Sequence, residues 1–213
     1  MTMDAVDFAS LLCSRLCHDL LSPVGAMNNG LELLADEHDP EMRAQVMDLL
    51  ADSASSSANK LKFFRLAFGA AGGFDSEIDA NEAKTAIEGV FCTKGKITLN
   101  WMVTPPTLAK PAIKVLLNLA LIAGEGLVRG GELTVGAETL DGITEMVVRA
   151  EGPRVILDPE IRKALLGEVA DTEVASRGAG AWLAQQLVRK HGGAIRASDV
   201  GEPVLLFGAT IGG

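Results

Sequence analysis

Residues 12–34 read Leu12-Cys13-Ser14-Arg15-Leu16-Cys17-His18-Asp19-Leu20-Leu21-Ser22-Pro23-Val24-Gly25-Ala26-Met27-Asn28-Asn29-Gly30-Leu31-Glu32-Leu33-Leu34. Their periodicity decides the N-terminal fold. The pattern extends outward into one long helix from Thr2 to Asp36. On a wheel of about 100° per residue, Ala9, Cys13, Leu16, Leu20, Pro23, Met27, Leu31 and Leu34 gather as an apolar stripe. His18 falls on the opposite side, with Leu11, Ser14, Ser22, Gly25 and Asn29 within about 40° of it. A core histidine belongs on the stripe; this one lies across from it.

An exposed helix histidine is ordinarily just a solvated side chain. Two features weigh against that here. The face around His18 carries Ser and Gly where a solvent face usually carries Lys and Glu. The helix also accepts Pro23, which removes an internal hydrogen bond at a cost of about 3 kcal/mol. Neutral imidazole is a competent nucleophile toward phosphorus through one ring nitrogen. Asp19 is placed to accept a hydrogen bond from the ring and select its tautomer. Ser22 is one turn on, in reach of a phosphoryl oxygen, and Arg15 offers positive charge one turn before. A metal site built from Cys13, Cys17 and His18 is disfavoured, because the wheel turns the cysteines away from the histidine and ligands must converge on one point. The cysteines read instead as small core residues.

Asp39-Pro40-Glu41 supplies a cap, a proline at the first helical position and acid in the first turn of a second helix running to Phe68. Its seam is expected at Val46, Leu50, Ala54, Ser57, Leu61, Phe64 and Phe68, alternating by four and three. Gly69-Ala70-Ala71-Gly72-Gly73 reads as an interdomain hinge. Thereafter the texture changes: a helix over Asp79–Phe91, a strand over Lys96–Val103, and a buried helix over Lys110–Val128. Strands over Glu132–Ala137 and Ile143–Ala150 are joined at Asp141-Gly142. A short helix follows Pro159, another covers Ala179–His191, and strands over Ala194–Ser198 and Val204–Ile211 follow. The expected fold class is α+β, a helical hairpin in residues 1–70 followed by an α/β sandwich with mostly antiparallel pairing in residues 77–213. A hairpin cannot bury the stripes of both helices unaided, so a second hairpin, paired by a two-fold axis into a dimeric four-helix bundle, is expected to cover them.

The chain has 213 residues, 48% hydrophobic and 22% charged, as a folded protein does. A net charge of −9 gives no footprint for nucleic acid and disfavours an anionic membrane surface. There is no apolar run of spanning length. The start, Met1-Thr2-Met3-Asp4, lacks the basic opening of a secretory signal, and three cysteines do not make a disulfide framework. A cytoplasmic protein is expected.

The segment His18-Asp19-Leu20-Leu21-Ser22-Pro23-Val24 resembles the phosphoacceptor box of sensor histidine kinases at every position that box specifies. The longer run from Leu12 to Leu34 is similar to the ChpT-type histidine phosphotransferases of alphaproteobacteria. The likeness continues in Ala67-Phe68-Gly69-Ala70-Ala71 and in the general layout of both halves. The resemblance implies a homodimer whose bundle presents His18 as phosphoacceptor, and a second domain shaped like the kinases' ATP-binding (Bergerat) fold. It implies transfer from the receiver domain of a hybrid kinase of the CckA type to CtrA-like and CpdR-like response regulators. The Mg²⁺ would sit on the partner receiver and no cofactor on this chain. Candidate receiver-docking residues are Arg15, Leu21, Ser22, Gly25 and Asn28, while Lys62 and Arg65 read either as flanking charges or as a basic pair suited to a helix C-terminus.

The second domain resembles an ATP site with parts missing. In Val115-Leu116-Leu117-Asn118-Leu119-Ala120-Leu121-Ile122 the first asparagine of the kinase box is kept, but Ile122 stands where a Mg²⁺ ligand is expected. Where Asp-x-Gly-x-Gly is expected, the chain has Ala150-Glu151-Gly152-Pro153-Arg154. Gly178-Ala179-Gly180 and His191-Gly192-Gly193 survive around a helix, and a lone Gly-x-Gly serves a phosphate or a helix cap equally well. The lid between Glu168 and Arg177 is short. The favoured expectation is a phosphorelay intermediate that does not use ATP. The alternatives are an ATP-dependent histidine kinase with degenerate boxes and a non-catalytic receiver-binding module.

Overall fold

Asp4 starts the first helix, its carboxylate accepting from the backbone N–H groups of Val6 and Asp7. This is ordinary N-capping by a short acid, and it sets the helix start at α1 (Ala5–Asp36). Asp39 repeats the device for α2 (Pro40–Ala67), with proline at its first position. The computed structural model describes residues 3–69, 77–93, 95–198 and 204–212. The expected hinge therefore lies, beyond Gly69, outside the described residues.

The elements that follow are β1 (Glu77–Asp79), α3 (Ala80–Phe91), β2 (Ile97–Val103), β3 (Thr107–Ala109) and α4 (Lys110–Gly126). Then come β4 (Gly131–Leu140), β5 (Ile143–Glu151), α5 (Pro159–Leu166), α6 (Ala179–Lys190), β6 (Ala194–Ala197) and β7 (Val204–Gly212). Five strands form one sheet in the order β2-β4-β5-β7-β6, antiparallel throughout except for the parallel pair β2 and β4. That pair is parallel because α4 carries the chain across between them. The turn between β4 and β5 has positive φ at both Asp141 (50°) and Gly142 (76°), the tight hairpin geometry. The architecture is α+β, a helical hairpin followed by an α/β sandwich, as expected. The small antiparallel pair β1 and β3 was not anticipated; three residues are too few for a periodic signal.

The sheet turns Leu133, Val135, Met146, Val148 and Phe207 inward, all essentially inaccessible, against Ile113, Leu116, Leu117 and Ala120 of α4. Each such side chain contributes about 1.5–3 kcal/mol on burial. The buried face of α4 explains its near-continuous apolar run.

Both hairpin seams depart from expectation. On α2 Val46, Leu50, Ser53, Ser57, Lys60, Phe64 and Ala67 are among the buried or half-buried positions, Phe63 and Leu66 are buried as well and Phe68 is half-buried, while Ala54 and Leu61 point to solvent. Spacings of three and four fit both phases, and the contact with α1 selects the one carrying serines and a lysine. On α1, Leu16, Leu20, Pro23, Met27 and Leu34 are buried or half-buried as expected, but Ala9, Cys13 and Leu31 are exposed. Cys13 and Cys17 are thus free surface thiols and not core residues. A single α2 covers only part of the stripe.

The hairpin is pinned to the sandwich through α1 and the end of α2. Phe8 packs on Trp182 of α6 with ring centroids 4.6 Å apart, and the indole donates to Asp171 at 2.7 Å. The Met3 backbone N–H donates to the same carboxylate at 3.3 Å.

Candidate functional site: the outward face of the first helix

His18 lies midway along α1 with 71% of its side chain exposed. Around it, Ser14, Leu21, Ser22 and Asn29 are exposed, Leu21 to 69%. Gly25 faces open space, since a Cβ there would meet nothing within 4 Å. Asn28 is exposed as well. The surface beside the imidazole is low and leaves room for a protein to approach.

Asp19 is held from three directions. Its Oδ1 lies 3.0 Å from His18 Nδ1. Its Oδ2 accepts from Arg15 Nε at 2.7 Å, one turn away on the same helix. Its backbone carbonyl accepts from Lys60 Nζ of α2 at 2.8 Å. The last contact follows from Pro23: four residues on, it has no N–H to give the Asp19 carbonyl, and a lysine across the hairpin fills the vacancy. A carboxylate against Nδ1 places the ring proton there and leaves Nε2, the outer nitrogen, with its lone pair free. That is the arrangement of an imidazole prepared for nucleophilic attack.

Arg15 departs from expectation. Its side chain is only 7% exposed, so it is not part of an open docking face and brings no free charge to the imidazole's outer side. Besides Asp19, its guanidinium donates to Glu125 at the end of α4 and, at 3.4 Å, to the carbonyl of Arg177. The sandwich packs over this flank of α1, which a wheel of the isolated helix does not register. Glu125 keeps 41% of its side chain exposed, yet desolvation at the junction lifts its carboxyl above the usual range. Arg15 pulls it the other way, and the Asp19 charge adds to the lift.

Lys62 and Arg65 face another way: both line a groove between α2 and α3, where Arg65 pairs with Glu82 at 2.8 Å. The residues that sequence reading missed are Lys60, Glu125 and Arg177. Lys60 was findable, being three residues after Ser57 and four before Phe64, on the alternative phase of the seam. Nothing local marks Glu125 or Arg177.

Asn118, Ile122 and Ala150, at positions that resemble parts of an ATP site, are buried. Asn118 is fully buried; its amide donates to the carbonyls of Lys114 (2.8 Å) and Ala67 at the end of α2 (3.4 Å). Its Oδ1 is buried without a hydrogen-bond partner among the described residues. Gly180 lies so close that a Cβ there would sit 2.4 Å from that oxygen. The glycine is needed for α6 to pass this close to α4, and its φ is not positive. Ile122 and Ala150 are core residues. Among the described residues, no cluster of His, Cys, Asp and Glu is arranged to hold a metal.

A family model described as the histidine phosphotransferase C-terminal domain matches residues 80–203. The chain belongs to this family. It is also 38% identical over 160 residues to the protein phosphotransferase ChpT of Brucella abortus (strain 2308), covering 75% of each chain. Among solved structures, a bacterial phosphotransferase matches with a TM-score of 0.85 and 32% identity, covering 98% of both chains. A mycobacterial sensor histidine kinase, MprB, matches with a TM-score of 0.48 and 24% identity over 65% of this chain. The activity of this family is histidine phosphotransfer.

Proposed function

We propose that His18 is the phosphoacceptor of a phosphorelay, taking a phosphoryl group from one receiver domain and passing it to another without ATP. The observation that carries this reading is the pairing of an exposed imidazole with a fixed Asp19 at Nδ1. Nε2 attacks the phosphorus of an aspartyl phosphate on the donor receiver. The N–P bond forms as the P–O bond to the aspartate breaks, and the aspartate leaves as carboxylate. Nδ1 keeps its proton, and Asp19 balances the positive charge that develops on the ring. In the second half-reaction an aspartate of the acceptor receiver attacks the same phosphorus and the imidazole leaves. Ser22 is one turn away, in reach of a phosphoryl oxygen. The receivers supply the Mg²⁺ and the aspartates; this chain supplies the nucleophile and its positioning.

Leu21, Ser22, Gly25 and Asn28 form the docking face, from which Arg15 is withdrawn. Family likeness favours a CckA-like hybrid kinase as donor and CtrA-like and CpdR-like regulators as acceptors. A homodimer is supported by the apolar residues the hairpin leaves open, Leu31 (59%), Leu33 (58%), Met47 (56%) and Leu61 (53%), since a second hairpin covers such a surface economically. We read residues 1–70 as the dimerisation and transfer domain and residues 77–213 as a degenerate ATPase-fold domain. The buried Asn118, Ile122 and Ala150 support a chain that binds no nucleotide. No described helix is long and apolar enough to cross a membrane. The acidic balance favours protein over nucleic-acid partners, and the free thiols suit the cytoplasm.

The test is label transfer from a phosphorylated receiver, run with and without ATP. The full-length chain is expected to take label from the receiver, and His18→Gln to lose it by about 10³-fold or more. Label retained by His18→Gln overturns the assignment, and label acquired from ATP alone makes the chain a kinase.

A further inference from the structure

We propose that the second domain preorganises the phosphoacceptor: Glu125 and the Arg177 carbonyl hold the Arg15 guanidinium, Arg15 holds the Asp19 carboxylate, and Asp19 fixes His18 as the Nδ1–H tautomer. The inference rests on His18 being the acceptor and assigns Glu125 and Arg15 as positioning residues for it.

The chain of contacts runs from the interior to the surface. Arg15 is 7% exposed, Asp19 15% and His18 71%. Each link is a direct contact: Nη2 to Glu125, Nη1 to the Arg177 carbonyl, Nε to Asp19 Oδ2, and Asp19 Oδ1 to His18 Nδ1. The guanidinium is planar, so anchoring its far edge on the sandwich fixes the direction in which Nε points. Lys60 fixes the backbone of Asp19 from the other side.

This fixation answers a specific difficulty. Neighbouring residues on a helix diverge by about 100°, so Asp19 and His18 meet only if the aspartate rotamer is held toward the histidine. A solvent-exposed imidazole without such a partner favours a proton on Nε2, the nitrogen that must attack. Two flexible side chains held only by each other lose more in rotamer freedom than an exposed contact returns. The buried guanidinium removes that loss in advance. The domain that resembles an ATPase thereby acquires a role in which its nucleotide face is irrelevant and its edge against α1 matters.

The experiment uses the full-length chain with ¹⁵N-labelled histidine at a pH of about 8.5, well above the ordinary imidazole titration. Ring-nitrogen shifts of His18 are assigned by comparison with His18→Gln, and exposed His38 serves as internal reference. The parent chain is expected to show a pyrrole-like Nδ1 and a pyridine-like Nε2 at His18. Glu125→Ala relaxes His18 toward the tautomer mixture of His38 and lowers transfer at saturating receiver by about tenfold with KM unchanged. Glu125→Gln, which still offers Arg15 a carbonyl oxygen, retains both properties. Arg15→Lys keeps a cation at the domain junction but lacks the fork, and relaxes the tautomer too; it decides the matter if Glu125→Ala does not fold. A His18 tautomer unmoved in Glu125→Ala or in Arg15→Lys overturns the proposal, as does equal loss in Glu125→Gln and Glu125→Ala. Because the shifts are read with no receiver present, they stand apart from the label-transfer test of His18 itself.

Discussion

The outer face of α1 and the face of α4 turned toward α6 carry the two sets of residues that resemble histidine-kinase motifs, and they have opposite fates. Around His18, Ser14, Ser22 and Gly25 lie beside an exposed Leu21, and the ring stands open. Around Asn118 the groups are packed: a Cβ at Gly180 would sit 2.4 Å from its amide oxygen, its amide nitrogen donates to the carbonyl of Ala67, and Ile122 and Ala150 belong to the core. One surface stays open along a helix that carries an internal proline, while the other is packed into the core. Motif likeness alone does not separate these outcomes. Local volume does.

The largest break of this comparison comes from putting polarity back into the packed face. Ala150→Asp restores the acid expected of an adenine-binding motif, but at a position with no accessible surface. A buried carboxylate without a partner costs about 3–5 kcal/mol, so the expected outcome is a strongly lowered unfolding midpoint in urea and no gain of ATP binding by calorimetry. A variant that stays stable and binds ATP shows that the cleft is latent and not filled.

A smaller effect tests the contact between α4 and α6. Replacing a helix glycine by alanine ordinarily gains about 0.5–1 kcal/mol. At Gly180 the added Cβ would lie 2.4 Å from Asn118 Oδ1, and overpacking costs about 1–3 kcal/mol. The overpacking term wins, so Gly180→Ala is expected to destabilise by about 1 kcal/mol in denaturant titration. Adding Asn118→Ala removes the obstruction, and the double variant should lose less than the sum of the two single ones. Strict additivity would mean that the two side chains do not meet.

How much of this was legible follows the same division. The helices, the Asp39-Pro40 start, the Asp141-Gly142 turn and the strands of the main sheet are set by local periodicity and turn chemistry, and they were readable. The exposure of His18 and its adjacency to Asp19 are properties of one helix, so a wheel suffices to find them. Arg15, Cys13 and Leu61 are different. Arg15 is buried by a sandwich that begins some sixty residues later in sequence, about which its own helix says nothing. Leu61 and Lys60 compete for one seam at spacings that fit both, and only docking against α1 decides between them. Glu125 ends an apolar helix and looks like an ordinary solubilising residue until Arg15 is found beside it.

The smallest predicted effect sharpens the boundary between the two surfaces, because Glu125 stands where they meet. Desolvation raises its carboxyl above the ordinary value of 4.5, against the pull of Arg15. In the window between 4.5 and the raised folded value, the folded chain holds a proton that the unfolded chain has released. Folding is then linked to proton uptake, so stability from this group is full below the unfolded value and falls as pH rises through the folded one. Glu125→Gln removes the titration while keeping an acceptor for Arg15. The difference in unfolding temperature between Glu125→Gln and the parent chain should therefore grow in favour of the variant as pH rises from about 4 to 7, and the partial exposure of the side chain keeps that gain small. A difference that moves the other way would mean that the ion pair with Arg15 outweighs desolvation. Glu125 would then act as a charge that binds the sandwich to α1, and not as an acceptor that orients the guanidinium.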